Sequence, residues 1–420
     1  MSAAFEARLS AELARLRQAN LYRTRRVVEG AHGILLKVDG RCCINFCSND
    51  YLGLAADPRV AEAARQALAQ GGTGSGASAL ISGYNLEHAR LEEELADFLG
   101  RPRALLFSTG WAANLGVLRG LLGKRDVLLA DELNHASLID GGRLSGAEYR
   151  RVAHADLPAF AAALEQAGSA HGTKFVVSDA VFSMDGDCAD LPALAALSRA
   201  HEATLMIDDA HGFGVLGPDG RGSVAAADLD VDDVPIYVAT LGKSLGAAGA
   251  FVAGSEALIE TLIQRARSWV FSTAPPPAIA AAARAALRIV RSEPERRQQL
   301  FANIAQLRAG AAMRGIAIGL DGAAAATPTP ILPLILGDEA RAIALSRYLF
   351  ERGLWVAAIR PPTVPAGTAR LRITLSATHT RAQIEDLLDA IAAGLATLDA
   401  QPVAAVRQAA LQAEASIAGI

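Results

Sequence analysis

The segment VATLGKSLGAAGA, residues 238–250, sets Lys243 directly after a strand-like run and surrounds it with small residues. A lysine amine works as a nucleophile or base when it is partly desolvated, and small neighbours let a ligand approach the nitrogen. Lysine is scarce here: of 40 basic residues, the other lysines are Lys37 in LLKVDGR, a hairpin flank, Lys124 in the turn GKRD, and Lys174 in HGTKFVV, ahead of a strand. Asp208 closes the run TLMID and His211 follows three residues later in DDAHGFG. A carboxylate sunk at a strand end is costly unless it meets a cation. LFSTGWAANLG passes from strand to helix at Ser108, Thr109 and Gly110, where free backbone N–H groups and the helix dipole suit a phosphate. SDAVFSMDGD adds Ser183 and DELNHASLID adds His135, each just past an apolar run. Singly, these peptides also fit plain structural roles: a surface lysine in a glycine-rich turn, a capping aspartate, an ordinary N-cap. Together they are the parts of a pyridoxal-phosphate (PLP) site, in which the carboxylate keeps the pyridine nitrogen protonated and the lysine holds the cofactor covalently.

Such a site needs strands that deliver these residues to one edge. ALLF (104–107), VLLA (127–130), FVVS (175–178), TLMI (204–207), IYVA (236–239) and AFVAG (250–254) are continuous apolar runs that alternate with helical patterns. That alternation predicts an α/β domain with a mainly parallel sheet covered on both faces, whose ligands bind outside the carboxyl ends of the strands. Beyond STAPPPA, a long helical stretch runs to about residue 315. A strand PILPLIL, a helix, the strands LWVAAI and ARLRITL and a last helix then predict a smaller α+β domain. The expected segments are 1–48, with an N-terminal helix and small strands, 49–290, 291–400, and a helical tail over 401–420.

Composition bounds the function. A formal charge of -4 gives no basic excess for nucleic acid. No run of about 18 apolar residues suggests a membrane span. The N-terminus mixes Glu6, Arg8, Glu12 and Arg15 with leucines at helical spacing, which reads as an amphipathic helix and not a signal peptide, so a cytoplasmic protein is expected. Cys42, Cys43, Cys47 and Cys188 lack the spacing of a zinc site or disulfide framework and are expected to be free thiols, with no metal.

The motifs NDYLGL (49–54), GTGSGASALISGYN (72–85), HASL (135–138), FSMDGD (182–187), DDAHGFG (208–214), TLGKSLG (240–246) and FSTAPPPA (271–278) resemble, in order, those of the α-oxoamine synthases. The resemblance spans about residues 20 to 400 and implies a fold-type I PLP transferase with a seven-stranded large-domain sheet. It implies that Lys243 binds the cofactor, Asp208 meets the pyridine nitrogen, His211 and Ser183 meet the phenolic oxygen, and His135 stacks on the ring. Thr240 and the Gly110 and Trp111 backbone would hold the phosphate. Asn49 and Arg372 would face the amino-acid substrate, Thr363 would line the acyl-donor site, and Arg23, in competition with Arg25 and Arg26, would meet the thioester. IRPPTVPAGTARLRITLSATHT (359–380) resembles the branch that condenses L-alanine with a pimeloyl thioester, on coenzyme A or an acyl carrier protein, in biotin biosynthesis. Members that use glycine to make 2-amino-3-oxobutyrate or 5-aminolevulinate, and a non-catalytic cofactor-binding protein on the same fold, are the alternatives. The resemblance further implies a homodimer in which FST (271–273) reaches the neighbour's phosphate. Two positions depart from the family pattern: GASA at 76–79 replaces a common GGSR, and Trp111 stands where Phe is usual.

Overall fold

The computed structural model describes residues 2–168, 172–319 and 327–401; apart from residue 401, the expected C-terminal helical tail lies outside the described residues. The chain divides into two compact units: Asn49–Ser183 with Asp187–Gln298, and Met1–Ser48 with Met184–Gly186 and Gln299–Ile420.

The first unit is built on seven strands, β1 (Arg103–Phe107), β2 (Val127–Asp131), β3 (Glu148–Val152), β4 (Lys174–Asp179), β5 (Ala203–Asp208), β6 (Ile236–Thr240) and β7 (Ala250–Gly254). Their order in the sheet is β1-β7-β6-β5-β4-β2-β3. Pairing is parallel from β6 through β5, β4 and β2 to β3, while β7 is antiparallel to both β6 and β1. The six apolar runs are six of these strands, β1 at one edge among them. The seventh, EYRRV, forms the other edge beside β2 alone, and its exposed Glu148 and Arg151 interrupt any apolar run; charged side chains suit an open strand edge.

Helix Gly110–Leu121 lies over the sheet, and its Val117 and Leu118 join Leu105, Phe107, Leu128, Val177, Met206, Val238 and Val252 in one buried cluster. This core fixes where the strands end and therefore where Asp179, Asp208 and Thr240, the last residues of β4, β5 and β6, come to lie. The long helical stretch after STAPPPA is two helices, Pro277–Ser292 and Pro294–Met313. Pro294 has no N–H to continue the first helix but is preorganised to start the second.

The second unit holds two small sheets. Val28–Glu29, Leu35–Val38 and Arg41–Asn45 form an antiparallel meander, and Leu354–Trp355 adds to it in parallel beside Arg41–Asn45. That pairing groups the N-terminal segment with the C-terminal one. Ile331–Gly337, Ala369–Thr374 and Ala357–Ile359 make a second, antiparallel sheet. The segment LWVAAI, expected as one strand, is therefore two, which join different sheets on either side of the buried Val356. Helix Ala3–Gln18 forms as expected and buries none of its residues. Among the described residues no helix is long and apolar enough to cross a membrane.

Leu118 is fully buried at the helix–sheet contact. Leu118→Ala is expected to destabilise the large unit by about 2–5 kcal/mol, measured as a lowered urea midpoint.

Candidate active site

Lys243 sits in the turn that follows β6, half-buried, with its Nζ 2.8 Å from His211 Nε2. The turn is closed by a hydrogen bond from the Gly246 N–H to the Lys243 carbonyl. Gly246 has φ +62°, and a Cβ there would come within 2.2 Å of the Ala55 N. This glycine therefore lets the lysine turn close on the backbone of the NDYLGLA segment, a packing reason in place of the ligand clearance that the sequence suggested. At Gly242, on the other side of Lys243, a Cβ would make only ordinary contacts, with the Ala247 carbonyl and Thr240 hydroxyl at 3.6 Å.

His211 is buried and held from its other nitrogen: Tyr51 Oη lies 2.6 Å from His211 Nδ1 and donates to Asn49 Oδ1 at 3.1 Å. Tyr51 has no exposed surface. The NDYLGL motif thus does two things at once, since Asn49 is placed by the tyrosine that also orients His211. Sequence reading singled out Asn49 and passed over Tyr51, because a tyrosine in an apolar run reads as core until its hydroxyl is seen to have partners.

Asp208 ends β5 and is buried; its Oδ2 accepts from Asn114 Nδ2 at 2.7 Å and its Oδ1 from the Ala210 N–H at 3.0 Å. Asp179 ends β4 in register beside it and accepts the His135 backbone N–H at 2.6 Å. Burial first, and then the neighbouring Asp208 charge, push the Asp179 carboxyl well above the usual carboxylate range. Asn114 and Asp179 were not read from the sequence; an amide inside a helical pattern and a second strand-end aspartate carry no signal until the strands are aligned.

His135 caps helix Ala136–Ser145, with Nδ1 2.7 Å from Ser137 Oγ, and its ring meets the exposed Trp111 edge-on at 6.1 Å. Desolvation lowers its pKa and Lys243 acts in the same direction, while Asp208 opposes them. Thr109 caps helix Gly110–Leu121 by accepting the Ala112 N–H, and Thr109 and Trp111 are exposed. The helix start at Gly110 and Trp111 therefore has donors for an anion. The Thr240 hydroxyl donates to the Gly249 carbonyl and accepts the Gly242 N–H, so it braces the lysine turn. Ser183 is half-buried in the segment between the bridged residues Val181 and Cys188.

An unforeseen cation braces that segment. His154 Nδ1 lies 3.0 Å from Asp131 Oδ1 and its Nε2 2.8 Å from Asp187 Oδ2, with the Phe182 ring edge-on to it at 4.4 Å. Hydrogen bonding to Asp131, then to Asp187, raises its pKa to about 10. The GASA loop is joined to the STAPPP segment by a Ser78–Thr273 bridge, by Ala274 N–H to the Ala77 carbonyl, and by Ser75 Oγ to the Pro275 carbonyl. Mostly backbone contacts hold this loop.

The remaining expected residues belong to the other unit. Arg23 Nη2 donates to Thr363 Oγ1 at 2.9 Å. Of its competitors, Arg26 pairs with Asp39 at 2.8 Å and covers the Phe350 ring, while Arg25 is exposed. Arg372 is buried at the middle of Ala369–Thr374. Burial pushes the nearby Cys47 thiol up to about 12 even though Arg372 opposes the shift. All four cysteines are free, and among the described residues no His, Cys, Asp or Glu cluster could hold a metal.

The residues present fit PLP: an amine at Lys243, a buried carboxylate whose hydrogen bonds come from an amide and a backbone N–H, and an open helix start for the phosphate. The family model for class I and II aminotransferases matches residues 41–391. A serine palmitoyltransferase variant from S. paucimobilis, solved with a PLP–myriocin adduct, superposes with a TM-score of 0.87 at 31% identity over 94% of this chain and 98% of that one. The fold is that of a fold-type I PLP enzyme. The 8-amino-7-oxononanoate synthase of Methylococcus capsulatus is 56% identical over 90% of this chain and 96% of its own length. The solved 8-amino-7-oxononanoate synthase of Francisella tularensis is 32% identical, with a TM-score of 0.72 over 84% of this chain and 98% of that one. The chain belongs to the 8-amino-7-oxononanoate synthase family.

The His154 clamp gives a pH prediction. A folded-state pKa of about 10 against an ordinary value near 6.5 means its stabilisation is complete below about 6.5 and is lost as pH rises towards 10. The melting temperature of the wild type should fall over that window, and His154→Asn should start lower and lose much of the slope.

Proposed function

We propose that the chain catalyses the PLP-dependent decarboxylative condensation of L-alanine with a pimeloyl thioester, releasing 8-amino-7-oxononanoate, carbon dioxide and the free thiol carrier, as a cytoplasmic homodimer in biotin biosynthesis. The observation that carries the reading is the Lys243 amine held 2.8 Å from a buried histidine in a turn at the end of β6. Overall identity of 56% with a curated synthase of this name supports the substrate choice.

PLP, when bound, supplies a protonated ring that accepts the negative charge developing at the amino acid's Cα. Asp208 would hold the ring nitrogen in its protonated form, His211 and Ser183 the phenolic oxygen, and the helix start at Gly110 and Trp111, with Thr240, the phosphate. Lys243 would hold the cofactor at rest, and its amine, when free, would be placed to take the Cα proton of the amino acid. The new carbon–carbon bond joins alanine Cα to the thioester carbonyl carbon; the thiol carrier departs and the alanine carboxylate leaves as carbon dioxide. Asn49 and Arg372 are the candidates to hold that carboxylate, Arg372 by a two-pronged contact. The Arg23–Thr363 hydrogen bond supports Arg23, of the three clustered arginines, as the residue that works with Thr363 on the acyl donor.

The dimer is supported by apolar side chains left exposed in the large unit, among them Leu80, Ile81, Tyr84, Leu86, Trp111 and Phe271. Large exposed apolar groups of this kind mark interaction surfaces.

Lys243→Ala is expected to lose the visible absorbance of the lysine-bound cofactor together with all turnover, and normal turnover in that variant would sink the reading. Purified enzyme should release thiol with L-alanine and not with glycine; comparing pimeloyl-CoA with pimeloyl-acyl carrier protein in the same assay identifies the donor. Thiol release with glycine alone would assign the chain to another branch.

A further inference from the structure

We propose that Asn114 and Ser137 are positioning residues that join Asp208 to His135 through a hydrogen-bond relay of fixed direction, which holds His135 as the neutral tautomer protonated on Nε2. The inference rests on the PLP reading for its purpose, but its geometry is independent of turnover.

The direction follows from what each atom is able to do. An aspartate carboxylate only accepts, so the Asn114 atom 2.7 Å from Asp208 Oδ2 is the amide nitrogen, and the orientation of that amide is settled. The second N–H of the same nitrogen points to Ser137 Oγ at 2.9 Å. Ser137 Oγ accepts there and has one hydrogen left to give, and His135 Nδ1 lies 2.7 Å away. The Ser137 backbone N–H is aimed at the same nitrogen at 3.3 Å. Two donors converge on Nδ1, so Nδ1 carries the lone pair and the ring proton sits on Nε2. The reverse tautomer would set the Nδ1 proton against the Ser137 N–H and leave the serine hydroxyl hydrogen without this acceptor.

The cost of the arrangement shows what it is for. Asn114 is buried, and its Oδ1 has no hydrogen-bond partner. A buried carbonyl oxygen left unpaired is destabilising, and a leucine would fill similar space without that penalty. What the amide contributes is its pair of N–H groups, one to each side of the site. The relay also ties together three elements: helix Gly110–Leu121, helix Ala136–Ser145 and β5. Asp208 is held by its Oδ2 from one side and by the Ala210 N–H on Oδ1 from the other. His135 is left as a hydrogen-bond donor from Nε2, suited to an anionic or carbonyl oxygen of a substrate, and in this state it is not a base.

The test is the tautomer itself. In PLP-loaded protein labelled with 15N-histidine, with the His135 signals assigned by their loss in His135→Gln, wild type and Ser137→Thr should show an acceptor-type Nδ1 and a protonated Nε2. Ser137→Ala should move a substantial fraction of the ring to the Nδ1–H form. A wild-type ring protonated on Nδ1, or a tautomer unmoved by Ser137→Ala, overturns the relay. Asn114→Leu should raise the PLP dissociation constant roughly tenfold or more, the scale of a lost hydrogen bond to a charged group; a constant unchanged within about twofold overturns the Asp208 half. If Asn114→Leu does not fold, the Ser137 pair decides alone. Failure of wild type to take up PLP would count against the proposed function, while the same labelled protein without cofactor still tests the relay.

Discussion

A carboxylate buried at the end of an apolar strand has to be compensated by its surroundings, and much of the large unit is arranged around meeting that need at Asp208. The aspartate is delivered there by the register of β5 against β4 and β6, which brings Asp179 alongside it. Two neighbouring carboxyl groups would repel if both were ionised. Burial and the Asp208 charge raise the pKa of Asp179, and Asp179 in turn fixes the backbone of His135. The helix that opens at the phosphate-suited end supplies Asn114 from its second turn. Sheet register, helix placement and local protonation are one arrangement, because each sets the surroundings of the same charge.

The amine is controlled in a comparable way from the other side. Lys243 meets His211, His211 meets Tyr51, and Tyr51 meets Asn49, so Asn49 is connected to the Lys243 amine through two buried rings. Gly246 permits the backbone approach that closes this turn, and the Thr240 hydroxyl donates to the Gly249 carbonyl across it. Around the rim, a histidinium between Asp131 and Asp187 and the bridge between Ser78 and Thr273 hold the segments that carry Ser183 and the GASA loop.

A tightly specified site of this sort suits chemistry in which one residue serves in turn as cofactor anchor and base. Lysine can do both only if its nitrogen is partly desolvated and its neighbours hold still. The same fold is found in serine palmitoyltransferases at 31% identity.

The apolar runs by themselves determined six of the seven large-sheet strands, since burial on both faces leaves an unbroken signal in sequence, and the motif order determined the family. Lys243, Asp208, His211 and His135 were legible because strand ends and small residues mark them locally. The strand Glu148–Val152 was not, because its exposed Glu148 and Arg151 break up any apolar run. Nor was the splitting of LWVAAI between two sheets, since pairing partners lie far along the chain. Tyr51, Asn114, Asp179 and His154 became functional or structural groups only when folding set their polar atoms within about 3 Å of partners 20 or more residues away. Hydrogen bonding and protonation depend on distance and burial, and the tertiary structure alone decides those.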